Sequence, residues 1–573
     1  MKNDERTSST SGLKKSRLSS KVKQGRSQLF LALAIIAALF LSSCVKNNEQ
    51  GRVAQNQTKT STATANAGIT SADMSVAPQP MIAKQEEGER REGTMGNTEA
   101  YSHIDENPFL EALRAPLSTF SIDVDTASYS NTRRFLKDGQ LPPKDAVRIE
   151  ELINYFSYDY PQPVGDAPFS VTAEISEAPW NPSHRLVHIG LQGKRIPTAD
   201  LPPANLVFLL DVSGSMNDER KLPLVKSAMK MLAEQLTARD HVAMVVYAGT
   251  SGLVLPSTTG DRKGEILAAI DRLESGGSTN GGEGIQLAYK IAQENFIRNG
   301  VNRVILATDG DFNVGTTSEG DLVRLIEEKR QSGVYLSVLG FGTGNVKDST
   351  MEKLADKGNG NYAYIDSLSE ARKVLGEQIG GTLFTIAKDV KIQVEFNPKQ
   401  VAAYRLIGYE NRLLRDQDFN DDTKDAGEIG AGHTVTALYE VVPFGQKYEN
   451  PGIDQLKYQQ PVQPSEMANS NELMTVKLRY KPPTQDQSKL VSVSLADAKG
   501  KLNSASENFK FASAVAAFGM LLRDSKYKAD ATYNEVLELA RASTGADPQG
   551  YRSEFIQLVE TARMLSSHRA SRE

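Results

Sequence analysis

The apolar run Asn205-Leu-Val-Phe-Leu-Leu ends in Asp211, and Ser213 and Ser215 follow in the next four positions. One carboxylate and two hydroxyls in a tight loop are the oxygen donors that a hard divalent cation takes. Ser and Asp also cap helices, so this motif by itself leaves two readings open. Two later segments bring further donors. Ser275-Gly-Gly-Ser-Thr-Asn-Gly-Gly-Glu-Gly284 offers Thr279 just ahead of a helix-like run over 285–296, and the apolar Val301–Ala307 leads into Thr-Asp309-Gly. These five residues meet only if the apolar runs are neighbouring strands, because loops at the carboxyl ends of a doubly wound α/β sheet converge on one crevice.

The surrounding pattern predicts such a sheet. Strand-length runs at 206–210, 242–247, 301–307, 334–340 and 362–365 alternate with helical periodicity over 223–236, 265–273, 285–296, 321–330, 350–355 and 369–379. Alternation of this kind implies a mainly parallel sheet with helices on both faces, Rossmann-like in its winding. With Asp-x-Ser-x-Ser, a Thr after a Gly-Gly turn and Thr-Asp-Gly in that order, residues 203–380 resemble a von Willebrand factor type A domain carrying its metal-ion-dependent adhesion site.

The resemblance implies a function as well as a fold. Asp211, Ser213, Ser215, Thr279 and Asp309 would hold a divalent cation, Mg2+ first and Mn2+ or Ca2+ as alternatives, with one position left for a carboxylate from outside. The expected partner is then a protein with an exposed Asp or Glu. A purely structural ion in an envelope scaffold is the rival reading, and a metal-dependent hydrolase is more remote. Hydrolysis needs a general base beside the metal-bound water. His241 and Glu283 are the nearest candidates, one opening a strand pattern and the other at a helix start where acids are favoured anyway. The chain is therefore expected not to be an enzyme.

Two other acidic strings carry weaker signals. Asp416, Asp418, Asn420 and Asp422 have the spacing of a calcium loop, but Asp421 stands where Gly is required and Gly427 where the bidentate Glu should be. A solvated acidic turn competes with a second cation site there. Asp123-Val-Asp125-Thr126 is similar to the nucleophile motif of haloacid-dehalogenase-type phosphatases with its Thr one position early, so Asp125 and Ser128 are expected at a strand end and a helix cap.

The flanks place the domain. With 573 residues, 24 % charged and a net charge of -5, the chain exceeds one core and has no basic face for nucleic acid. Residues 1–43 read as a lipoprotein signal peptide, with basic residues up to Arg26, a short apolar run from Leu29 to Leu41 and then Ser-Ser-Cys44. That ending resembles a lipobox, which implies that Cys44, the one cysteine, is acylated (palmitate) and holds the chain on a bilayer in the bacterial envelope, at the outer membrane if the source is Gram-negative. Residues 44–100 are too poor in apolar side chains to fold and read as a disordered tether. An α+β flanking region is expected at 101–200, a β-rich domain at 385–500 and C-terminal helices as a cap at 505–570. The α/β domain would then be inserted into a β-sandwich-like domain whose strands come from both flanks. Phe120–Tyr129, Asp418–His433 and Tyr551–Val559 resemble the flanking regions of YfbK-like bacterial lipoproteins.

Overall fold

A computed structural model describes residues 99–248, 251–277, 281–310, 318–344, 346–448, 457 and 463–570. Cys44, the apolar run before it, the tether up to residue 98 and Thr279 lie outside the described residues.

The α/β domain is built on a six-stranded sheet, Tyr362–Ile365, Tyr335–Phe341, Val301–Thr308, Ala204–Asp211, His241–Tyr247 and Ser251–Thr259 in spatial order. All neighbours run parallel except the last pair. The central strand Ala204–Asp211 is buried along its whole length, and its side chains alternate between two cores, as a strand covered on both faces requires. Leu206, Phe208 and Leu210 pack with helices Leu222–Gln235 and Lys263–Asp271, whereas Val207 and Leu209 pack with Gly281–Glu294, Glu319–Arg330 and Asp348–Lys357. From the central strand the chain moves outward through His241–Tyr247 to one edge. It then returns to Val301–Thr308 on the other side, so the order reverses between Ala204–Asp211 and Val301–Thr308. A crevice forms outside the strand ends at such a switch point.

Strands from both flanks of this domain pair with each other. Asn181–Gly193 lies between Phe169–Ala178 and Thr434–Pro443, and Leu117–Ser121 pairs with Thr385–Phe396, all antiparallel. The two resulting sheets share one core, with Val187, Ile189 and Val435 from one and Phe120, Ile392 and Val476 from the other. The α/β domain is thus an insertion in a β-sandwich. Helices Glu507–Arg523, Tyr533–Arg541 and Tyr551–Ala570 build a further core with Tyr155, Phe156 and Trp180. Glu507–Arg523 is buried nearly all round, so it is the centre of that core rather than a lid on it. Among the described residues no helix is long and apolar enough to cross a membrane.

Two elements depart from the sequence pattern. Ser251–Thr259 is a strand although it contains Gly252 and Pro256; it sits at the sheet edge, where a missing N–H is tolerated. The helix expected over 369–379 breaks into Leu368–Arg372, a π-turn Lys373–Glu377 and Ile379–Leu383. Gly376, Gly380 and Gly381 weaken it, and the buried Lys373 donates to the carbonyl of Tyr155 at 2.6 Å.

Candidate metal centre

Parallel register brings the donors together. Leu210 lies opposite Ala307 and Asp211 opposite Tyr247, so Asp211 and Thr308 end adjacent strands. Asp211 is fully buried. Its Oδ1 accepts from the Ser213 amide at 3.0 Å, and its Oδ2 accepts from Thr308 Oγ1 at 3.0 Å and Tyr247 Oη at 3.2 Å. Burial pushes this carboxyl up from the ordinary range against the hydrogen bonds from Ser213, and the charge of Asp309 pushes it further the same way. Thr308 Oγ1 also accepts from the Gly310 amide at 3.0 Å, which fixes the backbone around the fully buried Asp309. Gly310 has φ +84°, and a Cβ there would meet the Lys347 amide nitrogen at 2.8 Å, so the turn after Asp309 requires glycine.

The serine loop is held from the other side. The Gly214 amide donates to the carbonyl of Gly277 at 3.1 Å, the Gly276 amide to that of Val212 at 2.7 Å, and Ser275 Oγ to Asn217 Oδ1 at 3.0 Å. Gly284 lets helix Gly281–Glu294 approach the strand end, since a Cβ there would lie 2.9 Å from Tyr247 Cβ. Ser213 Oγ and Ser215 Oγ are 3.0 Å apart. They share a hydrogen bond at this distance, and the spacing is also compatible with adjacent oxygens of an octahedron with magnesium-length bonds, about 2.9 Å apart. Two buried carboxylates plus this pair fit a hard dication. Four of the five expected residues are thus placed at the switch point, while Thr279 falls outside the described residues. One group went unread in the sequence: Lys221 Nζ donates to Asp309 Oδ2 at 2.9 Å.

The second acidic string is not gathered into a cation site. Asp416–Asn420 is a 3-10 turn in which Asp416 accepts from Thr119 Oγ1 at 2.9 Å and Asp418 pairs with Arg415 at 2.8 Å. Asn420 accepts from Arg479 at 3.0 Å, and Asp422 from the Ser488 amide at 3.3 Å. Each donor thus faces a different protein partner, and the string is a stapled turn. Ser128 does not cap its helix either. Thr126 is at the N-cap, and Ser128 Oγ donates to the carbonyl of Ala146 at 2.7 Å from inside Ala127–Lys137.

Asp123 and Asp125 belong to a buried junction that the sequence does not reveal. Arg412 of the sandwich bonds Asp123 at 3.1 Å, Asp125 at 3.2 Å, Glu352 at 3.2 Å and Asp356 at 2.5 Å. Arg148 pairs with Glu151 and, at 2.6 Å, with Asp348. Oxygens of Asp123, Glu151 and Glu352 all lie within 4.8 Å of one another. The Tyr362 amide of the α/β sheet donates to Asp125 at 2.8 Å, so the junction ties that sheet, helix Asp348–Lys357, the N-terminal flank and the sandwich together.

An α/β sheet with this oxygen crevice at its switch point defines a von Willebrand factor type A domain, and the family model "von Willebrand factor type A domain" matches residues 205–377. Models described as "von Willebrand factor" and "Uncharacterized protein YfbK, C-terminal" match 95–188 and 381–565. The chain is 45 % identical over 475 residues to the uncharacterized protein YfbK of Escherichia coli (strain K12), an alignment covering 81 % of each chain. It therefore belongs to the YfbK family. It is also 29 % identical over 163 residues to human inter-alpha-trypsin inhibitor heavy chain H4, covering 27 % of this chain and 17 % of that one. Among solved structures, a von Willebrand factor type A protein from Catenulispora acidiphila is similar, with 17 % identity, a TM-score of 0.37 and coverage of 66 % and 87 % of the two chains. The domain family points to protein–protein interaction or adhesion.

Proposed function

We propose that this protein is a lipid-anchored binding protein of the bacterial envelope whose type A domain takes a carboxylate of a partner protein through a divalent cation. The observation that carries the reading is the pair of buried carboxylates, Asp211 and Asp309, beside two serine hydroxyls 3.0 Å apart at the sheet's switch point. A dication, Mg2+ first and Mn2+ or Ca2+ next, supplies a positive centre with room for an external oxygen. The chain's own residues do the positioning. Thr308 and Tyr247 orient Asp211 through its Oδ2, and the Ser213 amide fixes Oδ1. Binding rather than hydrolysis is supported by the placement of one of the two candidate bases, His241. It opens the strand that reaches the crevice at Tyr247, some 20 Å away by strand rise.

Leu41-Ser-Ser-Cys44 supports the anchor, and the outer membrane is the expected site in a Gram-negative cell. The test is capture of envelope proteins on the full chain with Mg2+ or with chelator. The partner should bind only with Mg2+, be lost with Asp211→Ala, and labelled palmitate should enter the parent but not Cys44→Ser. Capture that ignores chelator and Asp211→Ala overturns the cation reading and favours the scaffold. The Arg412 junction gives that alternative its support, because it welds the domain to the sandwich.

A further inference from the structure

We propose that Lys221 sets how tightly this site holds its cation and keeps the bound cation short of neutralisation, so that it seeks an external carboxylate. The inference rests on the reading of Asp211 and Asp309 as the cation's carboxylates. Lys221 lies just ahead of helix Leu222–Gln235, is 7 % exposed, and donates to the fully buried Asp309 Oδ2 at 2.9 Å. Its path is built rather than incidental. The stem crosses Gly342, the residue after strand Tyr335–Phe341, so closely that a Cβ there would lie 2.4 Å from Lys221 Cε and 2.6 Å from Cγ. Gly342 has φ +85°, and its carbonyl accepts a short hydrogen bond from Tyr364 Oη. A glycine in the left-handed region, fixed from behind, thus forms one wall of the slot that aims the ammonium at Asp309.

The electrostatic consequence follows from counting charges. Two carboxylates would neutralise a dication and leave it little demand for a third. With the ammonium beside them, the two carboxylates and Lys221 sum to one negative charge, and a dication there keeps a net positive charge. Because the ammonium and Asp309 are both buried, it would also repel, with little screening, a cation held by that carboxylate. Lys221 therefore weakens cation binding and strengthens the hold on an incoming anion. A type A domain tuned this way favours ternary assembly, in which cation and partner carboxylate bind together.

The test is a Mn2+ titration of the full chain in detergent, with free ion read by electron paramagnetic resonance, and retention of each variant on poly-L-glutamate resin in Mn2+. Lys221→Met should bind Mn2+ about tenfold or more tightly, from removal of a nearby like charge, and be retained less. Lys221→Arg should keep the parent's affinity within a few-fold, since the charge stays. Should Lys221→Met fail to fold, Lys221→Gln keeps a donor toward Asp309 without the charge and replaces it. Asp211→Asn should lose Mn2+ binding; if it does not, the cation site itself is misassigned. If Asp211→Asn loses binding while the neutral Lys221 variants match or fall below the parent's affinity, the role given to Lys221 is overturned.

Discussion

Single side chains in this protein carry charge into places where water does not screen it, and they differ in how they are compensated. Asp211 has three hydrogen bonds and Asp309 has an ammonium, so each buried carboxylate in the crevice is partnered. Glu150 is different. It is 1 % exposed and neither carboxylate oxygen meets a hydrogen-bond partner among the described residues. It lines a cavity of about 390 Å³ with Arg148, Glu352, Asp356 and Glu410. Burial first, and the charge of Glu410 second, push it up to about 7 against the pull of Arg523. In the unfolded chain it has the ordinary value of 4.5, so between these values the folded state holds a proton that the unfolded state releases. The associated stability is full below pH 4.5 and is lost as pH rises through 7. Glu150→Gln should therefore gain on the parent by roughly 3 kcal/mol between those limits, the free energy of the pKa difference. Denaturant unfolding at a series of pH values measures the gap. Glu151, pushed up to about 8 mainly by burial, will leave some slope in both proteins, so the difference between them is the readout. A gap that stays constant from pH 4.5 to 7 refutes the assignment.

Elements position these groups, and how legible they were depended on where each one lies. The central strands were readable because a strand buried on both faces is a continuous apolar run, and Leu206–Leu210 and Val301–Ala307 are such runs. The crevice followed from them, since Asp211 ends one of the two strands that flank the switch point and Asp309 directly follows the other. Ser251–Thr259 was not readable, because an edge strand needs one covered face and tolerates Pro256. Lys221 was hidden for another reason: its partner is 88 residues away, and nothing local marks a lysine before a helix as buried. Its mark in the structure is Gly342, where a positive φ and the passing Lys221 stem both call for glycine. Gly342→Ala should accordingly act at a distance. The methyl forces a left-handed residue and displaces the Lys221 stem, at a cost on the order of 2–4 kcal/mol. Its circular-dichroism melt should fall well below the parent's while Gly344→Ala, where a Cβ meets nothing within 4 Å, shifts it less. Equal shifts would mean that backbone strain alone, and not the slot, governs Gly342.

At the scale of the molecule, the inserted type A domain is tied to its host by buried charge. Arg412 joins a sandwich loop to Asp123 and Asp125 of the N-terminal flank and to Glu352 and Asp356 on helix Asp348–Lys357. Arg412 and Asp125 are 287 residues apart in the chain, so no spacing rule could have paired them. Four carboxylates on one guanidinium are tolerable only because that guanidinium is present and other groups share the load; Asp125 also takes the Tyr362 amide, and Glu352 the Asn411 amide group. Removing one partner from a buried ionic set costs far more than the set contributes over an apolar substitute, because the charges left behind have no compensation. Arg412→Met should therefore cost roughly 3–5 kcal/mol, and the loss should be local to the junction. The two cores of the six-stranded sheet are built mostly from the inserted domain, with Ala127 and Ala431 joining them from outside it, and the sandwich has a third. Calorimetry of the variant should then resolve two transitions where the parent melts in one, and the Mn2+ affinity of the crevice below the first transition should be unchanged. A single transition at reduced temperature would show instead that the domains are cooperative through their apolar contacts, and that the charged junction adds stability without being the link between them.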